Sequence, residues 1–224
     1  MTWVKICGIT NLEDALTAVD AGADALGFVF HEKSPRNIAP EAARKLVEQL
    51  PATPEKIGVF AGDGIEHCVD LARRCGMSAV QVHIFPQASS PRGSNAELQA
   101  VCLPNPIKVY LVWPIKRLID GQPQPDFRAP LDTIFLDSGT PERPGGTGQV
   151  FDWQKAAPIV ESISKKVKVV IAGGLIPTNV ADAMRILKPW GVDVASGVEA
   201  APGKKDPQKV RAFIAAVREA EKTI

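Results

Sequence analysis

The sequence is poor in the residues that build metal centres and disulfide frameworks. Its 224 residues include only 4 cysteines and 3 histidines. No Cys-x-x-Cys pair occurs, and His31, His67 and His83 have no metal-ligand spacing with the cysteines. Cys68 and Cys75 fall in a helical pattern that sets their Cα atoms about 10 Å apart, too far for a disulfide. No metal is expected. Cys68, Cys75 and Cys102 read as small apolar filler, and unpaired thiols of this kind fit a reducing cytoplasm. The formal net charge is only +1, which gives no electrostatic footprint for nucleic acid or a membrane surface. No apolar run approaches the length of a bilayer span. Met1-Thr2 runs straight into a strand pattern, without the features of a signal peptide. No linker interrupts the chain, so one domain over residues 1–224 is expected.

What is present is a regular alternation of strand and helix patterns. Strand patterns begin at Trp3, Ala23, Lys56, Ala79, Ile107, Thr133, Lys168 and Val192. Between them lie amphipathic helical stretches, such as Ala43, Leu46, Val47 and Leu50, or Val180, Ala183, Met184 and Leu187. Thr10-Asn11-Leu12-Glu13 reads as a capping box for the first helix, and Pro177 as the opening of a later one. Pro and Gly in 114–130 leave the helix after strand five short or missing. Such alternation specifies a parallel sheet. Eight units in this length fit a (β/α)8 TIM barrel, with its site at the C-terminal ends of the strands. A doubly wound sheet is the alternative, but no Gly-x-Gly-x-x-Gly follows strand one.

Several strands are split between an aliphatic and a polar face. Val4 and Ile6 oppose Lys5 and Cys7, and Val80 and Val82 oppose Gln81 and His83. Ile134 and Leu136 oppose Thr133 and Asp137, and Asp193 stands between Val192 and Val194. In a barrel the aliphatic faces meet the helices and the polar ones converge inside. Cys7, His83 and Asp137 close their strands, which places them at the mouth. Gly173-Gly174 and Ser196-Gly197 end strands seven and eight, where backbone N–H groups of these barrels commonly hold phosphate. Gly145-Gly146-Thr147-Gly148 is a further glycine-rich loop, either a flap over the site or a plain connection. Arg36, after strand two, carries a fork suited to a carboxylate or phosphate.

The segments Lys5-Ile6-Cys7-Gly8-Ile9-Thr10, Ser34-Pro35-Arg36, Val80-Gln81-Val82-His83, Phe135-Leu136-Asp137-Ser138, Ala172-Gly173-Gly174-Leu175 and Ser196-Gly197-Val198-Glu199 occur in this order. Together they resemble the phosphoribosylanthranilate isomerase family of tryptophan biosynthesis. The resemblance implies a cofactor-free Amadori rearrangement of a small phosphorylated substrate, in a monomer or homodimer. It implies Asp137 as general acid and Cys7 as general base. Arg36, Asp193 and His83 would face substrate, with Arg36 on the anthranilate carboxylate and Asp193 on a sugar hydroxyl. Gly173, Gly174, Ser196 and Gly197 would hold the phosphate. Two positions differ from the family's usual pattern: Ile84 follows His83 where Gly is usual, and Ala195 replaces a frequent Ser. As a base, Cys7 needs a lowered pKa, to which Lys5 is expected to contribute. Another phosphosugar isomerase or epimerase, or a non-catalytic phosphoribosyl-ligand-binding barrel, shares the glycine turns.

Overall fold

The computed structural model describes residues 1–83, 107–122, 131–139 and 150–223. The glycine-rich loop at 145–148 and Cys102 lie outside these residues, as do residues 84–101, which the sequence reads as a polar loop containing Arg92 followed by a weak helix over 95–101. Eight parallel strands close into a barrel in chain order. They are β1 (Trp3–Cys7), β2 (Ala25–Val29), β3 (Glu55–Ala61), β4 (Ala79–His83), β5 (Lys108–Pro114), β6 (Thr133–Asp137), β7 (Lys168–Ala172) and β8 (Gly191–Val194). The helices are α1 (Leu12–Asp20), α2 (Pro40–Val47), α3 (Ile65–Arg74), α4 (Ile115–Ile119), α5 (Trp153–Ser164), α6 (Val180–Leu187) and α7 (Pro207–Ala220). As the Pro and Gly content predicts, the helix after β5 is short, at 5 residues.

The two faces of each strand sort as the alternation requires. Val4, Ile6, Val80, Val82, Ile134, Leu136, Val169 and Ile171 join the large apolar cluster that also holds Val180, Phe213 and Val217 of the helices. The opposite faces contribute Ala25, Ile57, Ala79, Tyr110, Phe135 and Val170 to a separate interior cluster. Trp3 stacks on Trp190 at 5.3 Å and meets Phe135 edge-on at 6.0 Å. This aromatic layer floors the barrel at its N-terminal end. The polar residues of the same faces stand above it, which turns the upper barrel into a site rather than a continuous core.

Local capping differs in two places from the expectation. The N-cap of α1 is Asn11, not Thr10: its side chain accepts from the Asp14 N–H and donates to the Asp14 carboxylate at 2.8 Å. The reciprocal box is therefore displaced by one residue, and Thr10 Oγ1 is free to donate to the Gly203 carbonyl at 2.6 Å. Helix α6 begins at Val180 rather than at Pro177. Asn179 accepts from the Ile176 N–H and donates to the Gly174 carbonyl, so residues 174–179 form a laced turn first. A hairpin, β9 (Glu199–Ala201) and β10 (Lys204–Lys205), follows β8 and was not expected. Its turn is Pro202-Gly203, with Gly203 at φ +81°.

Candidate active site

Strand register brings the central polar groups together. Lys5 of β1 is the partner of Asp193 of β8, and Cys7 of β1 is the partner of Gly27 of β2. Paired residues of parallel strands share a face, so the Lys5 ammonium reaches both Asp193 oxygens, at 3.0 and 3.1 Å. Both side chains are buried. A buried pair of this kind is costly to break from one side, by about 3–5 kcal/mol, because the surviving charge is left without a partner. Each carboxylate oxygen has more than one lone pair, so Asp193 can still accept from a hydroxyl above it.

Cys7 sits one layer nearer the mouth, with its sulfur in hydrogen-bonding reach of Lys5. Gly27 makes room for this. A Cβ there would lie 2.8 Å from Cys7 Sγ and 3.0 Å from Lys5 Nζ. Burial pushes the Cys7 thiol above its ordinary range, and the nearby Lys5 ammonium pulls it back only in part. A lowered pKa was expected here. Desolvation of the thiolate, helped by the Asp193 charge, outweighs the pull of Lys5 and the smaller one of Lys205. The Lys5 ammonium itself stays charged. Burial opposes that charge, but Asp193 and Cys7 together hold its pKa above the usual value.

Asp137 closes β6 at the mouth and is buried. Burial raises its pKa to about 6, helped by the Asp193 charge and opposed by a hydrogen bond from the Gly139 N–H and by Lys5. A carboxyl poised near neutrality can donate a proton as well as accept one. His83 is pushed down to about 3 by burial, by Lys5 and by His31, so it stands neutral at the C-terminal end of β4. Cys68 is buried with its thiol raised to about 12, and Cys75 is buried too, in line with their reading as apolar filler.

The glycine turns behave as packing elements. Gly173 has φ +90°, and a Cβ on it would overlap Ser138 Oγ at 2.1 Å. A Cβ on Gly197 would fall 1.8 Å from the Leu175 carbonyl oxygen. The loops after β6, β7 and β8 are thus pressed against one another. Ser196–Val198 forms a single 3-10 turn there. Their backbone groups converge at the mouth near Asp137.

Arg36 lies over Gly8, where a Cβ would approach its Cδ to 2.6 Å. Its fork is engaged by Glu199: Nε donates to Oε1 and Nη2 to Oε2, both at 2.8 Å. Glu199 also accepts from Lys205 Nζ at 3.0 Å. Sequence reasoning assigned neither Glu199 nor Lys205 a part, because charges on an Ala-, Pro- and Gly-containing stretch look solvated. The Pro202-Gly203 dipeptide was the available sign of a hairpin that could bury them.

The family model described as "PRAI: N-(5'phosphoribosyl)anthranilate (PRA) isomerase" matches residues 4–216. The chain belongs to this isomerase family. It is 41% identical over 220 residues to the N-(5'-phosphoribosyl)anthranilate isomerase of Trichlorobacter lovleyi, covering 98% of this chain and 100% of that one. The enzyme of Pelobacter propionicus is 42% identical over 219 residues, with 98% and 97% covered. The crystal structure of phosphoribosyl anthranilate isomerase from Thermotoga maritima superposes with TM-score 0.77 at 36% identity, over 98% of this chain and 100% of that chain. A family structure in complex with reduced 1-(o-carboxyphenylamino)-1-deoxyribulose 5-phosphate has TM-score 0.76 at 34% identity, with 98% and 100% covered.

Proposed function

We propose that the chain converts N-(5-phosphoribosyl)anthranilate to 1-(2-carboxyphenylamino)-1-deoxyribulose 5-phosphate, as a single-domain cytoplasmic enzyme over residues 1–224. Asp137 protonates the furanose ring oxygen. The C1–O bond breaks as the anthranilate nitrogen lone pair forms the iminium. Cys7, as thiolate, then removes the C2 proton, and the released electron pair forms the C1–C2 double bond and neutralises the nitrogen. The resulting enolamine tautomerises to the ketose. The rearrangement moves only protons and needs one acid and one base.

The observation that carries this reading is the Asp137 carboxyl, held at about 6 at the barrel mouth under the same Lys5 and Asp193 charges that surround Cys7. Around that pair, Arg36 would hold the anthranilate carboxylate and Asp193 a sugar hydroxyl, with His83 as a neutral neighbour of the sugar. Backbone N–H groups of Gly173, Gly174, Ser196 and Gly197 would hold the phosphate. The loss of a Ser hydroxyl at Ala195 leaves such backbone contacts intact. The complex of a family member with the reduced product supports this substrate class. Buried free thiols at Cys7, Cys68 and Cys75 support a reducing compartment. Among the described residues no helix is long and apolar enough to cross a membrane. A structure of monomers made from the dimeric Thermotoga maritima enzyme matches at TM-score 0.74, so monomer and homodimer are the assemblies proposed.

The test is to follow the anthranilate fluorescence of the substrate with the purified protein. Conversion to the ketose is expected. Binding without conversion would point to a sensor, and neither would point to another phosphosugar enzyme.

A further inference from the structure

Arg36 presents a puzzle of geometry. A guanidinium has five N–H donors arranged on two usable edges. In this structure the Nε/Nη2 edge is already filled by Glu199, with both bonds at 2.8 Å. Among the described residues, the Nη1 end makes no ion pair or hydrogen bond. An arginine in this state can still take a second carboxylate, end-on through Nη1 and Nη2.

Glu199 is built in firmly. It is buried, and its Oε1 accepts from Lys205 Nζ at 3.0 Å and from the Gly203 N–H at 3.4 Å, besides Arg36. Lys205 is fully buried; its ammonium also donates to the Ala195 carbonyl at 3.1 Å, and its backbone N–H donates to Asp14 at 2.7 Å. Thr10 pins the Gly203 carbonyl from the β1–α1 loop. The hairpin therefore ties the loop after β1, the loop after β2 and the end of β8 to one carboxylate. Two cations surround a single anion in this cluster, and Arg36 keeps a slightly exposed side chain. Arg36 crosses Gly8 at the mouth, with its Nη1 end turned away from Glu199.

We propose that Glu199 is a positioning residue for substrate recognition: it grips one edge of Arg36, aims the other at the substrate carboxylate, and is itself held in place by Lys205. This rests on Arg36 being the carboxylate anchor. It assigns the β9–β10 hairpin a function in specificity, beyond closing the barrel rim. Loss of a salt bridge that merely fastened the hairpin would lower stability and would weaken all substrates alike.

The experiment compares kcat/KM for N-(5-phosphoribosyl)anthranilate with that for N-(5-phosphoribosyl)aniline, which lacks only the carboxylate. The wild type is expected to prefer the carboxylated substrate, and Arg36→Ala to lose that preference. Glu199→Gln is expected to reduce the preference at least about tenfold, the scale of one charge-assisted hydrogen bond, mostly through KM. Should Glu199→Gln fail to fold, Glu199→Asp keeps the charge, retracts it by one methylene, and is expected to lower the same ratio. No preference in the wild type, or an unchanged preference in Arg36→Ala, would overturn the anchor itself. Normal preference in the Glu199 variant, with a normal effect of Arg36→Ala, would overturn the positioning role alone.

Discussion

Cys7 and Gly27 are register partners on adjacent strands, and the space that holds the Cys7 sulfur is the space a Gly27 side chain would occupy. The missing Cβ is thus part of the site. Gly27→Ala would place a methyl 2.8 Å from Cys7 Sγ and 3.0 Å from Lys5 Nζ. Neither neighbour can withdraw freely, because Lys5 is held by Asp193. The substitution is expected to lower kcat strongly while costing only about 1–3 kcal/mol of stability, the usual range for overpacking. Steady-state kinetics and thermal unfolding on the same preparation check it.

Asp137 illustrates stability given up for function. Its folded pKa of about 6 lies above the ordinary value of 3.8. The folded state therefore holds the proton more tightly, and its advantage is complete below about pH 4 and is lost as pH rises through 6. Asp137→Asn removes the buried charge while keeping an acceptor for the Gly139 N–H. At pH 7 it is expected to stabilise the fold by up to about 3 kcal/mol, the energy equivalent of that rise, and to give much less at pH 4. Chemical denaturation at the two pH values measures the difference.

The pH–rate profile should reflect an acid near 6 and a thiol above its ordinary range. The competent form carries the proton on Asp137 and none on Cys7. Its population is level between the two pKa values, falls below about pH 6 as the thiolate disappears, and falls again once Asp137 can no longer be protonated beside a fully ionised thiol. Lys5 is the larger of two cations, with Lys205, that limit the rise at Cys7. Lys5→Met is expected to move the alkaline limb upward and lower the plateau, with Asp193 left to raise the thiol further. An unmoved limb would show that Lys5 does not govern the thiol.

Much of the barrel was legible because its strands are split lengthwise. The alternation of Val4 and Ile6 with Lys5 and Cys7 states both which side meets the helices and which side meets the interior. β7 carries valine on both faces, and there only its place in the strand–helix alternation identified it. Cys7, Asp137 and Asp193 were legible as members of one interior because polar residues in a strand need a common destination. Gly27 was not, since its meaning depends on which residue of β1 lies beside it. Glu199 and Lys205 were hidden for a related reason: their burial comes from a hairpin whose strands are too short to show a period. The direction of the Cys7 shift was also out of reach, because it depends on the balance between burial and the charges of Lys5, Asp193 and Lys205. Lys5 was identified as a contributing cation; the size of the opposing desolvation is a property of the folded mouth.

The central claim is that Asp137 and Cys7 are the acid and base of one proton-transfer sequence. The most direct measurement is the turnover of N-(5-phosphoribosyl)anthranilate by purified Cys7→Ala and Asp137→Asn, followed by anthranilate fluorescence beside the wild type. Each variant is expected to fold, to bind the substrate and to turn over at least about a hundredfold more slowly, the scale of a lost general acid or base. Near-normal turnover by either variant would contradict the claim.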